Sequence, residues 1–320
     1  MTLKINNIME RKEFETKFEV LAIKNILPSE ILKESKTYFY QNNLVELIGF
    51  NPDKITYTTR FFNYLRYMKE SVNDYTVKNI LGYTILSHQY YIVLEKVKEE
   101  KSLTESIKSY NFIEKLKIAI ELCEMIYYFH NTLKITLKIL SASNIFIQEG
   151  KLKINVSHLQ RIVHECSIDN HKKEILYYEY LPPDLFDLSV NDEDGDIDYK
   201  KEGNIWSLGC IISEIFSGFI PWHNHYSKNE MIIIKLLAKK TNFPIPDNIK
   251  QIHNDIYKIV EDCTNLNADL RPKIEEIMKI LKTILQNKDK IYTLLFSFNS
   301  NKSFKGMKKK YLVVSFYKFL

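Results

Sequence analysis

Glycine is scarce in this chain, with eight in 320 residues, and none precedes Gly49. A glycine-rich loop that brings backbone amides up to a phosphate is therefore excluded from everything before Gly49, since a Cβ on each residue holds the amides away. Aspartate is absent from the whole of Ile135–Leu159, ITLKILSASNIFIQEGKLKINVSHL, which excludes any acid, base or metal centre built on Asp within it. The four cysteines, Cys123, Cys166, Cys210 and Cys263, form no CxxC pair. Spacing alone leaves disulfides open, but a reducing compartment with each thiol as a small buried apolar group is the simpler reading. The opening MTLKINNIMERKEFETKF lacks the apolar core of a secretory signal. LAIKNIL and YLVVSFYKFL are far shorter than the roughly 18 apolar residues of a membrane span. A soluble cytoplasmic or nuclear protein is expected. The net charge of +5 comes from lysines spread along the chain rather than clustered, so no nucleic-acid partner is expected.

What is present is a large apolar content, 45%, enough to bury one large core or two smaller ones. The first hundred residues read as strands around one helix. KFEVLAIKNIL, KTYFYQNN and NLVELIGF are strand-like, as are VKNILGYTIL and QYYIVLEKV. Between them TTRFFNYLRYMKESV repeats Phe61, Phe62, Leu65, Met68 and Val72 at helical spacing. From Ser102 the period changes. SLTESIKSY and NFIEKLKIAIELCEMIYYFHNTL are amphipathic helices, and NIFI and KLKINV are short strands joined by a QEG turn. NIWSLGCIISEIFSGF is apolar nearly all round, as a helix at a domain centre must be. Helices over Met231–Ala238, Ile249–Cys263 and PKIEEIMKILKTILQ close the pattern. The expected class is α+β: a strand-rich lobe over residues 1–97, a helical lobe over 98–286, and a tail over 287–320 without a clean helical period.

Several local motifs add to that order. NIWSLGCIISEIFSGFIPW resembles the D-x-W-S-x-G segment of the eukaryotic protein kinase domain, with Asn204, Trp206 and Gly209 at its marked positions. LPPDLF resembles A-P-E, and NADLRP resembles the late Arg-Pro, which implies a structural pair between Asp184 and Arg271. QYYIVLEKV resembles the fifth strand and hinge, placing Leu94 as gatekeeper and Glu95–Val97 in the cofactor-facing linker. The resemblance covers roughly residues 15–286 and implies a bilobal kinase-like fold.

The same alignment shows what the chemistry lacks. Kinase phosphoryl transfer needs a phosphate-covering loop, a Lys fixed by a helix carboxylate, a catalytic Asp, and Asp plus Asn for Mg²⁺. LKILSASN stands where the family has H-R-D-L-K-P-x-N, so Leu137, Lys138, Ile139 and Ser141 replace the His, Arg, catalytic Asp and Lys, and Asn144 alone is kept. Val156, Ser157 and His158 replace D-F-G, and Tyr64 takes the helix Glu position. A lone Asn144 makes a poor magnesium site. His158 and the HNH run at His223–His225 read as surface or turn residues rather than metal ligands.

For the lysine two alignments stay open. VLAIKNI resembles V-A-I-K, which makes Lys24 the phosphate-holding residue, whereas counting strands makes NLVELIGF the third and puts Ile48 or a neighbour there. The resemblance is thus to a degenerate member, a pseudokinase acting as a scaffold or as an allosteric regulator of a protein partner such as an active kinase. The alternative is an atypical or residually active Ser/Thr-type kinase using ATP. No cofactor is expected, though ATP without Mg²⁺ stays open. The segment resembling the activation segment offers Ser157, Ser167, Tyr177 and Tyr178 as phosphosites, with Lys138, Arg161, Lys172 and Lys173 as basic neighbours. The basic, aromatic tail reads as packed or disordered rather than as a membrane contact.

Overall fold

The computed structural model of the protein describes residues 12, 15–34, 37–50, 65, 80–95, 101–132, 134, 136–137, 140–148, 150–154, 177–186, 200–223 and 230–300. Its first part is a five-stranded antiparallel sheet of β1 (Ile31–Glu34), β2 (Thr37–Tyr40), β3 (Asn43–Phe50), β4 (Ile80–Leu86) and β5 (Gln89–Glu95), ordered β1-β2-β3-β5-β4. Turn chemistry joins two of the neighbouring pairs. Gln41 and Asn42 take φ of 50° and 64°, and Ser87 and His88 take 50° and 65°, the paired positive angles of a two-residue type I′ hairpin. β5 lies between β3 and β4 and is buried on both faces, by Tyr90, Ile92 and Leu94 on one and Val93 on the other. That is why QYYIVLE reads as a continuous apolar run.

The strand expected over KFEVLAIKNIL does not form. Residues 15–20 are helical, Ala22 turns the chain at φ 47°, and only Asn25 makes a bridge, parallel to Tyr83. Tertiary packing decides the matter. A strand would put Phe18 and Val20 on one face, yet Phe18 is buried with its ring stacked on Tyr83 at 4.1 Å while Val20 is 79% exposed. The first strand is instead ILKE, four mostly exposed residues at the sheet edge. A Cβ at Gly82 would lie 2.4 Å from the Lys24 carbonyl oxygen. Its absence lets the N-terminal segment bond to β4, Ile26 N–H to the Tyr83 carbonyl at 2.7 Å and Tyr83 N–H to the Lys24 carbonyl at 2.9 Å. Of the helix expected over TTRFFNYLRYMKESV, Leu65 is helical and buried; Tyr64 and the rest lie outside the described residues.

From Ser102 the described chain is helical apart from one hairpin. α1 (Leu103–Ser106) and α2 (Phe112–Tyr127) each open on a capping box, with Glu105 accepting from Ser102 N–H at 2.8 Å and Glu114 from Asn111 N–H at 2.7 Å. β6 (Ile145–Gln148) and β7 (Lys151–Ile154) pair across Gly150, whose φ of 77° supplies the turn. α3 (Lys201–Ser217) is buried from Gly203 to Phe216 and stops at Gly218 in the left-handed region. α4 (Glu230–Ala238) falls where expected.

Two helix boundaries differ from expectation. The single helix over Ile249–Cys263 is split into α5 (Asp247–Ile252) and α6 (Asn254–Cys263). His253 is extended between them, and its Nδ1 accepts from Asp255 N–H at 3.2 Å, starting a new helix. α7 (Ile274–Ser300) runs through Asn287, so the tail is helical as far as Ser300. The α+β class is the one observed.

Candidate functional site

The segment aligned with the catalytic loop is bonded to α3 through the Asn204 side chain. Asn204 Oδ1 accepts from the Leu137 N–H at 2.8 Å and from His130 Nε2–H at 2.8 Å, while its Nδ2 donates to the Leu137 carbonyl. Because Nδ2 faces a carbonyl, Oδ1 must be the acceptor, and His130 carries its proton on Nε2. Burial holds the His130 pKa below the ordinary imidazole value, so it is neutral at neutral pH. Leu137, Leu140, Ser141, Ala142 and Asn144 are all buried. Ser141 Oγ and Asn144 Nδ2 have no hydrogen-bond partner there.

Lys138, Ile139, Val156, Ser157, His158, Arg161, Lys172, Lys173 and Ser167 lie outside the described residues, so their chemistry rests on the sequence. A magnesium ion needs oxygen ligands with at least one carboxylate. Ile139 and Val156 supply none, which leaves Asn144 as the last oxygen of the family's set. These residues do not fit a magnesium centre.

The structure places the two candidate segments of the lysine alignment on different elements. NLVELIGF is β3, the third strand, and it contains no Lys, Arg or His at any register. On it Glu46 and Ile48 share a face with Leu94 and Ile92 of β5, and Leu94 is buried opposite Glu46. Glu95 closes β5 opposite Val45; Val97 lies outside the described residues. Lys24, read as the V-A-I-K lysine, is off the third strand. Its Nζ donates to the Tyr40 hydroxyl at 2.6 Å, an interaction that raises its pKa, and lies 3.9 Å from Glu30. β1 and β2 pair up to Glu34 opposite Thr37.

The expected structural frame is in place. Arg271 Nη1 donates to Asp184 Oδ2 at 2.6 Å and to the Glu202 carbonyl at 3.0 Å, and Nε donates to the Asn265 carbonyl at 2.9 Å. The guanidinium lies 5.2 Å from the Trp206 ring. A Cβ at Gly209 would sit 2.6 Å from the Cys263 Cβ, so this glycine lets α3 and α6 approach closely. Tyr177 and Tyr178 are half-buried and packed against the core.

Sequence reasoning missed a second polar contact on α3. The Tyr180 hydroxyl donates to Glu214 Oε2 at 2.5 Å, and Ser207 Oγ donates to the Tyr180 carbonyl at 2.8 Å. The available signal was Glu214, the single acid of the apolar run NIWSLGCIISEIFSGF. Among the described residues no three His, Cys, Asp or Glu side chains gather as a metal site, and His223 stacks on Phe219 at 4.4 Å. No described helix is long and apolar enough to cross a membrane.

Comparison with known proteins agrees with this frame. Residues 50–281 match the family described as protein tyrosine and serine/threonine kinase. The mitogen-activated protein kinase kinase kinase 2 of Arabidopsis thaliana is 25% identical over 263 residues, covering 82% of this chain and 36% of that protein. The MAP kinase kinase kinase mkh1 of Schizosaccharomyces pombe is 33% identical over 89 residues, 28% of this chain and 8% of that protein. The mitogen-activated protein kinase kinase kinase 9 of Arabidopsis thaliana is 27% identical over 192 residues, 59% of this chain and 23% of that protein. This chain thus spans little more than a third of the length of these relatives at most. With 50–281 matched and the Asp184–Arg271, Trp206 and Gly209 frame intact, the chain belongs to the protein tyrosine and serine/threonine kinase family.

Proposed function

We propose that this kinase-family chain works without phosphoryl transfer, as a pseudokinase that binds a protein partner and acts as a scaffold or allosteric regulator. The observation that carries the reading is β3, whose NLVELIGF offers no cation to phosphates at any register. Catalysis in this family is positioning plus electrostatics, so each lost charge removes transition-state stabilisation. Ile139 cannot orient a nucleophile, a loss that typically costs about 10² to 10⁴ in rate. Val156 cannot hold a metal, and Leu137 packs into the core instead. The matched relatives are named as kinases of a kinase cascade, which supports a partner that is itself an active kinase. A basic, clustered surface that would favour nucleic acid is lacking in the sequence.

The second reading, a residual Ser/Thr-type kinase, is favoured by the retained Asn144 and by the relatives' names. A thermal-shift titration of the full chain with ATP, with and without Mg²⁺ and beside Lys24→Ala, separates the two. A ligand that binds the native state raises the melting temperature. Our reading predicts no magnesium-dependent shift in either protein. A magnesium-dependent shift lost in Lys24→Ala would overturn it. A metal-independent ATP shift would leave the non-catalytic reading standing and assign nucleotide a structural role.

A further inference from the structure

Two lysines of α7 reach toward α2, and their surroundings differ. Lys282 Nζ donates to Glu124 at 2.7 Å, and both side chains are exposed. Lys288, further along the same helix, is 9% exposed. Its Nζ lies 5.3 Å from the centre of the ring of Phe112, the first residue of α2. Among the described residues it has neither an acid partner nor a hydrogen-bond acceptor. Phe112 packs in turn on Phe216 at 5.7 Å and stacks on the His253 ring at 6.2 Å. The ammonium thus sits against aromatic rings with a second basic group close by. Asp255, on the exposed side, lies 4.0 Å from His253 Nδ1.

A buried cation without a counter-ion is costly, and losing its charge removes the cost. A lysine in an apolar site beside another basic group is the kind that reacts as a free amine at neutral pH. We propose that Lys288 is an acyl-acceptor lysine, which takes an acyl group from a small activated acid such as an acyl phosphate, and that the neutral amide it becomes seats α7 more firmly on α2. The Nζ lone pair attacks the carbonyl carbon. The bond from that carbon to the phosphate oxygen breaks, phosphate leaves with the electron pair, and the surplus proton on nitrogen passes to water. Burial supports this reactivity by lowering the Lys288 pKa. His253 registers the same uncompensated charge: burial first, and then Lys288, lower its pKa against the pull of Asp255. Lys282 lacks both conditions, being exposed and paired with Glu124. The step uses no residue of the nucleotide cleft, so it stands apart from the proposed function.

Brief treatment of this chain with acetyl phosphate at neutral pH, followed by peptide mapping in a mass spectrometer, measures acetylation lysine by lysine. Lys288 should be labelled several-fold ahead of Lys279, which is exposed on the same helix, and ahead of Lys282. Accessibility alone predicts the opposite order, so the ranking separates a reactive amine from a merely buried one. The melting temperature of the treated parent should rise. Lys288→Arg, which keeps the charge but accepts no acyl group, should show no such rise under the same treatment. Lys288→Met, neutral and of similar length, should melt above the untreated parent without any reagent. Mapping of the parent needs no variant, and so decides the matter where a variant does not fold. Labelling of Lys279 or Lys282 ahead of Lys288, or an equal change in melting temperature for the parent and Lys288→Arg, overturns the proposal.

Discussion

Asn204 grips Leu137 by both of its backbone groups, accepting the N–H on Oδ1 at 2.8 Å and donating Nδ2–H to the carbonyl. The family has Asp at this position, which accepts but cannot donate while ionised. The Asn is suited to the conformation seen here, in which the Leu137 carbonyl faces the side chain and a neutral His130 supplies the third bond.

Restoring the family residue should therefore weaken the protein. Asn204→Asp leaves the Leu137 carbonyl facing a carboxylate in a buried site, and it should lower unfolding stability by about 1–3 kcal/mol, the usual cost of an unsatisfied buried group. The loss should shrink at acidic pH, where His130 can charge and pair with the carboxylate. Urea unfolding of the two proteins at both pH values measures it; an Asp variant as stable as the parent would contradict the hydrogen-bond assignment.

A second expectation concerns Asp184. The Arg271 side chain is 0% exposed while that of Asp184 is 39% exposed, and Arg271 Nη2 is buried without a partner. Asp184→Ala strands a buried cation. It should cost about 1–3 kcal/mol, below the 3–5 of a fully buried pair because the Asp side is solvated. Asp184→Glu reaches further and can engage Nη2 as well, so it should equal or exceed the parent in melting temperature. A Glu variant as damaged as the Ala variant would show that the shorter side chain is required.

Gly82 tests the N-terminal segment. Adding a methyl there places it 2.4 Å from the Lys24 carbonyl oxygen and 2.8 Å from Ile26. Gly82→Ala should push residues 23–27 off β4 and lower stability by about 1–3 kcal/mol, the range for overpacking. Hydrogen exchange should speed up at Ile26 and Tyr83, which share the two backbone bonds, while α3 stays protected. Unchanged exchange at those amides would mean that the segment is not seated through Gly82.

Much of this was legible because the signals are local. NLVELIGF and QYYIVLE carry their strand character residue by residue, and NIWSLGCIISEIFSGF announces burial through its composition. The Asp184–Arg271 pair was legible from two short motifs, although its partners are 87 residues apart. What was not legible depends on distant contacts. FEVLAIKN has strand propensity, but Phe18 finds its place on Tyr83 only by leaving the extended path that would also bury Val20. ILKE is too short and too polar to read as β1. The break at His253 needs a side-chain cap that no periodicity reveals, and no local pattern pairs Glu214 with Tyr180, 34 residues away.

Phosphoryl transfer itself is the most direct test of the central claim. This chain should be incubated with γ-labelled ATP and Mg²⁺, alone and with a generic Ser/Thr acceptor protein, beside Asn144→Ala, which removes the last residue of the family's metal set. The account predicts that label incorporated by the two proteins is equal and at background. Magnesium-dependent incorporation by the parent that is lost in Asn144→Ala would contradict it and make this chain a working kinase.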